Sequence, residues 1–526
     1  MLAGALTAIL TLTGCGPSAN DPNPGGAQLA VARVKDAVGL DPAHETDGLS
    51  LNVTTEIFQG LVKFKPGTFD VAPDIARSWY SSKDGRQWTF TLKPGLKFSD
   101  GTPVDAAAVK FNFDRWRLPN NPYHGHFPYG YYASMFGGFP GLIVGVDAPA
   151  PGKVVFTLKE PLSPFLRDLA MPSFGIGSPT AIRKNPQNFG LAPVASGPYT
   201  LAEWVKDDHI TLAANPAWAG PKASYGMVIV RDIPDQSTAV LSMKKADVDI
   251  LVDPRPDDAR DLAQQSGIRI YQQPSNNVSY LAMNMDKKPF DNVLVRRAIA
   301  YAIDKQAIAN GFYALGAAVA NNWTPPGMLG EDPKLKAYPQ DIPKAKALLV
   351  QAGFAHGFAT QLYYPTSPRP YMPEPGRIAE AIQANLKSIG IDVTLQPLEF
   401  SVFLTKGRNG EHPMLLIGWT GDNGDPDNFM YPLLDRDSAV KGQAQNYSFW
   451  RDPKFHALML AGQQTTDERK RAQIYRQAND MIADQVPAVA LVHSVVSFAA
   501  KSSIENVIPN PDSRLLFELM KPGPNT

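Results

Sequence analysis

Three carboxylates, Asp422, Asp425 and Asp427, crowd a turn that follows the apolar run Met414-Leu-Leu-Ile-Gly-Trp419. So short an apolar run, leading into Gly and Pro, reads as a buried strand rather than a helix. Asp422 then stands just past a strand's carboxyl end. Open α/β sheets bind ligands at that edge, because their strand-to-helix loops converge on a crevice there. A carboxylate so placed can hold a positively charged group. Asp and Pro also favour turns for local backbone reasons, and Asp425 and Asp427, which flank Pro426, are read that way. A calcium loop needs acids or Asn at alternate positions, Gly at the sixth and Glu at the twelfth. Neither Asp422 nor Asp425 as first ligand meets that spacing.

The elements that must position Asp422 follow βαβ grammar. Gln361 to Tyr364 reads as a strand, Ile378 to Ile389 as an amphipathic helix stopped at Gly390, and Ile391-Asp-Val-Thr-Leu395 as an alternating strand. A short helix from Ser401 leads to the Met414 strand. Right-handed crossovers place equivalent strand ends on one edge of a sheet. Arg369, after the first of these strands, and Asp422, after the last, can therefore share a crevice despite lying about fifty residues apart.

Upstream, Gln28 to Val34 reads as a strand, Leu49 to Gln59 as a helix, and residues 70 to 116 as a β-rich unit with turns at Ser82-Lys-Asp-Gly85 and Asp100-Gly101. Asp105 caps a helix through Val109, Phe113 and Trp116. Residues 117 to 140, rich in Pro, Gly, Tyr and Phe without periodicity, read as a long surface loop. Its His124-Gly-His126 pair is taken as a loop feature, because nothing nearby supplies further metal ligands. Other strands are expected at Lys153 to Leu158, Ile210 to Ala213, Met227 to Arg231, Asp247 to Val252 and Val278 to Asn284.

The chain has 526 residues, too many for one ordinary core, so two or three domains are expected. Lys plus Arg and Asp plus Glu both number 50. That balance lacks the electrostatic footprint of a nucleic-acid binder and offers no polybasic membrane signal. The single cysteine, Cys15, ends Leu12-Thr-Gly-Cys15 behind an apolar stretch of signal-peptide length, too short to span a bilayer. It resembles a bacterial lipobox, which implies cleavage before Cys15 and lipid on its sulfur. Gly16 to Gly26 then reads as a polar Pro/Gly tether to the bilayer.

The chain resembles the family 5 solute-binding proteins of ABC importers, and among them the dipeptide-binding branch. The resemblance rests on Ile75-Ala-Arg-Ser-Trp79 with Lys83-Asp-Gly85, Phe98-Ser-Asp-Gly101, Ser196-Gly-Pro-Tyr199, Tyr280-Leu-Ala-Met-Asn284 with Lys288-Pro-Phe-Asp291, Lys344-Ala-Lys-Ala-Leu-Leu349, Trp419 to Phe429, and Val492-His-Ser494. Order and spacing agree over essentially the whole mature chain. It implies an α/β, two-lobed clamshell of the periplasmic-binding-protein type (type II-like, class C). Lobe I would be 27–276 plus 495–526, with an extra β-rich subdomain near 56–190, and lobe II 277–494. Residues 1–14 would be a signal peptide and 15–26 a lipid-anchored tether. Hinge strands are expected near Tyr280 and Val492. The partners implied are a small peptide, most simply a dipeptide, and an ABC permease. The protein would act as a monomer in the periplasm or on the outer face of the membrane, with no cofactor and no metal.

In that branch an Asp in Trp-Thr-Gly-Asp pairs with the ligand's α-amino group, and an Arg in Arg-Pro-Tyr with its carboxylate. Asp422 and Arg369 match these positions. The physics fits a zwitterion, whose two charged ends need counter-charges once buried. Arg suits a carboxylate because its planar fork binds both oxygens. Trp419, Thr420, Gly421 and Tyr371 complete the expected ligand-binding set, and lobe I is expected to contribute through Asp36 to Leu40. Longer peptides, glutathione, haem or nickel complexes are alternative cargoes. A secreted hydrolase is the remote alternative, lacking both His-Glu-x-x-His and Gly-x-Ser-x-Gly, and a purely structural surface lipoprotein is a further one.

Overall fold

A computed structural model describes residues 27–336 and 338–524. Cys15, the leader and the tether lie outside the described residues. Two mixed sheets organise the chain. The first, seven-stranded, runs in the order 268–274, 495–501, 250–252, 27–33, 225–232, 209–214, 199–205. The second, six-stranded, runs 318–319, 488–493, 277–283, 414–420, 358–365, 391–398. Each sheet anchors one lobe of a two-lobed α/β protein.

The second sheet is where the βαβ expectation is met. Phe358–Pro365 pairs in parallel with Ile391–Leu398 along its whole length, and with Met414–Thr420 at Leu362↔Met414 and Tyr363↔Leu415. The helix between the first two strands, Pro375–Lys387, starts with Pro at its first position and buries Ile378, Ala379, Ile382 and Leu386 along one stripe. Gly390, at φ +88°, then turns the chain into the next strand. Met414–Thr420 is buried at five consecutive residues, as a central strand covered on both faces must be. Parallel strands joined by helices end on one edge, so the segments carrying Arg369 and Asp422 leave the sheet on the same side.

A four-stranded antiparallel sheet, 76–81, 87–92, 153–158, 143–150, forms a separate unit with its own core, including Phe90, Phe113, Trp116, Phe156 and Phe174. It is tied to the first lobe by the buried ion pair between Arg115 and Asp41, at 2.5 Å. Residues 117–140, expected as a surface loop, are loop over 118–129 but send buried aromatics into this core. They contain the helix Gly130–Phe136, and Tyr129, Tyr132 and Phe136 are buried. Periodicity missed them because the helix is only two turns long and its aromatics pack on both sides. His124 is buried as well, its Nδ1 2.8 Å from the Arg115 carbonyl.

The chain passes between the two large sheets after Pro274 and again after His493. These passages are bound together. Asn277 Nδ2 donates to Ser275 Oγ (2.8 Å) and to Ser494 Oγ (2.7 Å), while its Oδ1 accepts from the Ser494 amide (2.9 Å). The Ser275 amide donates to the Ser494 carbonyl at 3.0 Å. Among the described residues no helix is long and apolar enough to cross a membrane.

Candidate functional site

Asp422 follows the last central strand by two residues and is held from three directions. Its amide donates to Asn428 Oδ1 (2.9 Å), and Asn428 Nδ2 donates back to Asp422 Oδ2 (3.1 Å). The third hydrogen bond comes from the four-stranded unit: Tyr131 donates its hydroxyl to Asp422 Oδ1 at 2.6 Å. Burial pushes the Asp422 carboxyl up to about 6, against the opposing effect of the Tyr131 and Asn428 hydrogen bonds, with Asp512 raising it further. Burial and the facing carboxylate push the Tyr131 phenol well above its ordinary value. Tyr131 therefore stays a donor. A carboxylate has about four acceptor positions, so these two donors leave Asp422 able to accept from an ammonium group.

Arg369 sits in a tight bend after the Phe358–Pro365 strand, its amide and carbonyl exchanging bonds with Met372 at 2.9 and 2.8 Å. Its guanidinium carbon lies 3.3 Å from the centre of the Phe400 ring, a cation–π contact that anchors the fork. The buried Nε has no hydrogen-bond partner among the described residues. An unpaired buried donor is costly, so the group is chemically prepared for an anion.

The other expected site residues divide. Trp419 is half-buried and donates Nε1 to Asn428 Oδ1 at 3.2 Å. Thr420 ends the strand opposite Asn277. Gly421 exchanges bonds with Asn276, from its amide to the Asn276 carbonyl (2.7 Å) and from Asn276 Nδ2 to its carbonyl (2.8 Å). A Cβ on Gly421 would lie 2.3 Å from the Phe429 ring, so the turn admits no side chain there. Tyr371 is mostly core, its ring packed on Gly418 and its carbonyl accepting from the Tyr313 hydroxyl (3.1 Å). Asp425 makes a buried two-pronged pair with Arg471, at 2.9 and 2.8 Å. Asp427 accepts from Gln463 Nε2 (3.2 Å) and from the Tyr475 hydroxyl (3.4 Å). Both acids are thus spent on fixing the turn.

Asp36, at the head of the segment expected to reach the ligand from lobe I, is buried among its own partners. Arg33 (3.0 Å), Lys206 (3.2 Å), the Trp204 indole and the Asp207 amide occupy its carboxylate. Tyr131 is the residue that instead crosses to Asp422, and nothing periodic in its surroundings marks it in the sequence. Asn428 was also missed, although an Asn six residues beyond Asp422 in the same turn is a signal that could have been read.

Residues 70–440 match the bacterial extracellular solute-binding proteins, family 5 (middle). The chain belongs to this family. As a family 5 solute-binding protein it is 34% identical over 494 residues to a dipeptide-binding protein of Escherichia coli (strain K12), covering 91% of this chain and 92% of the relative. It is 31% identical over 493 residues to heme-binding protein A of Haemophilus influenzae, covering 91% and 89%. Its fold matches the ABC transporter-associated periplasmic binding protein DppA from Helicobacter pylori, solved with the peptide STSA, at a TM-score of 0.80 and 31% identity, covering 94% of this chain and 98% of that one. All three relatives are named as binding proteins.

Proposed function

We propose that this family 5 protein is the extracytoplasmic substrate-binding component of an ABC importer, and that it captures dipeptides or short peptides by their two charged ends. Asp422 takes the α-ammonium group and Arg369 the α-carboxylate, with Trp419, Thr420, Gly421 and Tyr371 around them. The observation that carries this reading is the pair of opposite charges on one sheet edge, where Asp422 is oriented by Asn428 and Tyr131 while Arg369 lies over Phe400 with an unpaired Nε. Two fixed charges of opposite sign suit a zwitterion and measure its length. Side chains between the ends are tolerated where water can satisfy varied groups.

Lobe I comprises 27–276 and 495–526, including the subdomain near 56–190, and lobe II 277–494. The Asn277–Ser494 knot lies where they hinge, and closure by hinge motion presents the loaded form to the permease. Cys15 carries the lipid anchor, and the protein acts as a monomer in the periplasm or on the outer face of the cell membrane, without catalytic residues.

Native mass spectrometry of the purified protein tests the cargo. A bound mass equal to a dipeptide or short peptide is expected. Haem, glutathione or a nickel complex in its place would replace the peptide reading. Calorimetry then compares Ala-Phe with its N-acetylated form, and equal affinities for the two would sink the ammonium role of Asp422.

A further inference from the structure

The residue after Asp422 crosses between the lobes. Asn423 Nδ2 donates to Asp168 Oδ1 at 2.7 Å, and Asp168 lies in the short helix Phe165–Leu169 of the four-stranded unit. Asn423 is 2% exposed and Asp168 1%, although they come from opposite sides of the cleft. The contact is the centre of a seam. Arg167 Nη1 donates to the Phe69 carbonyl (2.8 Å) and to the Gly424 carbonyl (3.4 Å). Ser163 donates its amide to the Gln463 carbonyl (2.8 Å) and its hydroxyl to the Thr465 carbonyl (2.5 Å). Gly424, at φ +66°, lies so close to Phe69 that a Cβ would stand 2.3 Å from the ring.

The Asn423 side chain is held at its other end too, since its Oδ1 accepts from the Asp425 amide at 2.9 Å and Asp425 is pinned by Arg471. Asp422 is fixed in the same turn by Asn428. The turn therefore moves as one piece. One of its residues faces the ligand's charge and the next faces the opposite lobe. Burial, with Asp425 and Asp427 close by, pushes the Asp168 carboxyl well above its usual range, opposed by Asn423 and Arg471. The Asn423 amide donates to that carboxyl, and a buried polar group without its donor is strongly disfavoured.

We infer that Asn423 and Asp168 form a latch that holds the lobes shut over the ligand, so that engagement of Asp422 and closure of the cleft are one event. Asn423 is a positioning residue in this scheme and does not touch the ligand. The inference rests on the proposed peptide site for its ligand, but not for its account of closure.

The test is a double-mutant cycle of Asn423→Ala and Asp168→Ala. Release of radiolabelled Ala-Phe is followed after rapid dilution, and small-angle scattering is recorded without ligand. Each single variant is expected to release Ala-Phe at least about tenfold faster, since the cleft must open for the ligand to escape. The double variant is expected to be no faster than the quicker single one, because either change removes the same contact. Preference for Ala-Phe over N-acetyl-Ala-Phe should persist, since Asp422 is untouched. Ligand-free Asn423→Ala should show a larger radius of gyration than the unaltered protein. Release within twofold of the unaltered protein, or single effects that multiply in the double variant, overturns the latch. If the unaltered protein does not bind Ala-Phe, the peptide reading fails and scattering alone decides: equal ligand-free radii overturn the latch, and a larger radius in both single variants supports it.

Discussion

The Tyr131 hydroxyl donates to Asp422 Oδ1 at 2.6 Å, joining two residues 291 positions apart and on opposite sides of the cleft. Asp422 is thereby oriented by both sides of the molecule. Tyr131→Phe removes one charge-assisted donor, an interaction worth about 1.5–3 kcal/mol. The hydroxyl lowers the Asp422 carboxyl, so its loss should move the pH midpoint of ligand binding upward. Titration calorimetry from pH 5 to 8 checks this, and an unchanged midpoint would remove Tyr131 from the site.

Asp422→Ala should weaken Ala-Phe binding by about 2–5 kcal/mol, the range for truncating one partner of a buried charge pair. Binding of the N-acetylated peptide, which has no ammonium group, should change far less. Calorimetry on both ligands separates loss of the charge contact from general damage to the fold.

Affinity itself should depend on pH. An ammonium group needs the Asp422 carboxylate ionised, while in the ligand-free protein burial holds that carboxyl up to about 6. Below that pH binding must expel a proton, so affinity should fall by about tenfold per unit of acidification and level off above it. Asp422→Asn should flatten the profile. A wild-type affinity constant from pH 4.5 to 7.5 would contradict the assignment.

Arg369→Lys should behave almost as poorly as Arg369→Ala. An ammonium head cannot reproduce either the guanidinium contact with Phe400 or the fork presented to a carboxylate. A C-terminally amidated dipeptide, lacking the carboxylate, should bind the three proteins with similar affinity. Calorimetry of free and amidated Ala-Phe measures this.

Within the turn, Arg471→Ala should destabilise the protein by about 3–5 kcal/mol in urea unfolding, because it strands the buried Asp425 carboxylate. Asp427→Asn should do the opposite near neutrality. Burial, and Asp425 beside it, push the Asp427 carboxyl up to about 7 from an ordinary 3.8. A carboxyl raised on folding contributes stability that is present below its unfolded value and lost as pH rises through its folded one. The Asn variant should therefore melt higher than the unaltered protein at pH 8, and the difference should close towards pH 4.

Much of the second lobe was legible because local rules and global arrangement agree there. The alternating strand at Ile391, the apolar stripe of Ile378, Ile382 and Leu386, and the buried run from Met414 each match one period. Residues 117–140 show the opposite. Tyr129, Tyr132 and Phe136 pack into a core from a helix too short to display a period, so composition alone suggested a loop. Asp36 shows a related limit, since its partners Arg33, Trp204 and Lys206 are set by packing and not by any local pattern.

By itself the sequence determined the two charges and the side of the sheet on which they stand, because strand period and crossover handedness are local and chiral properties of the chain. It also marked Asp425 and Asp427 as turn formers, and the fold engages them with Arg471, Gln463 and Tyr475. Only the tertiary structure decided what faces Asp422 and Asn423 from across the cleft. Tyr131 and Asp168 reach them over separations of 291 and 255 residues, and contacts so distant depend on how two separately packed bodies meet, which no local pattern encodes.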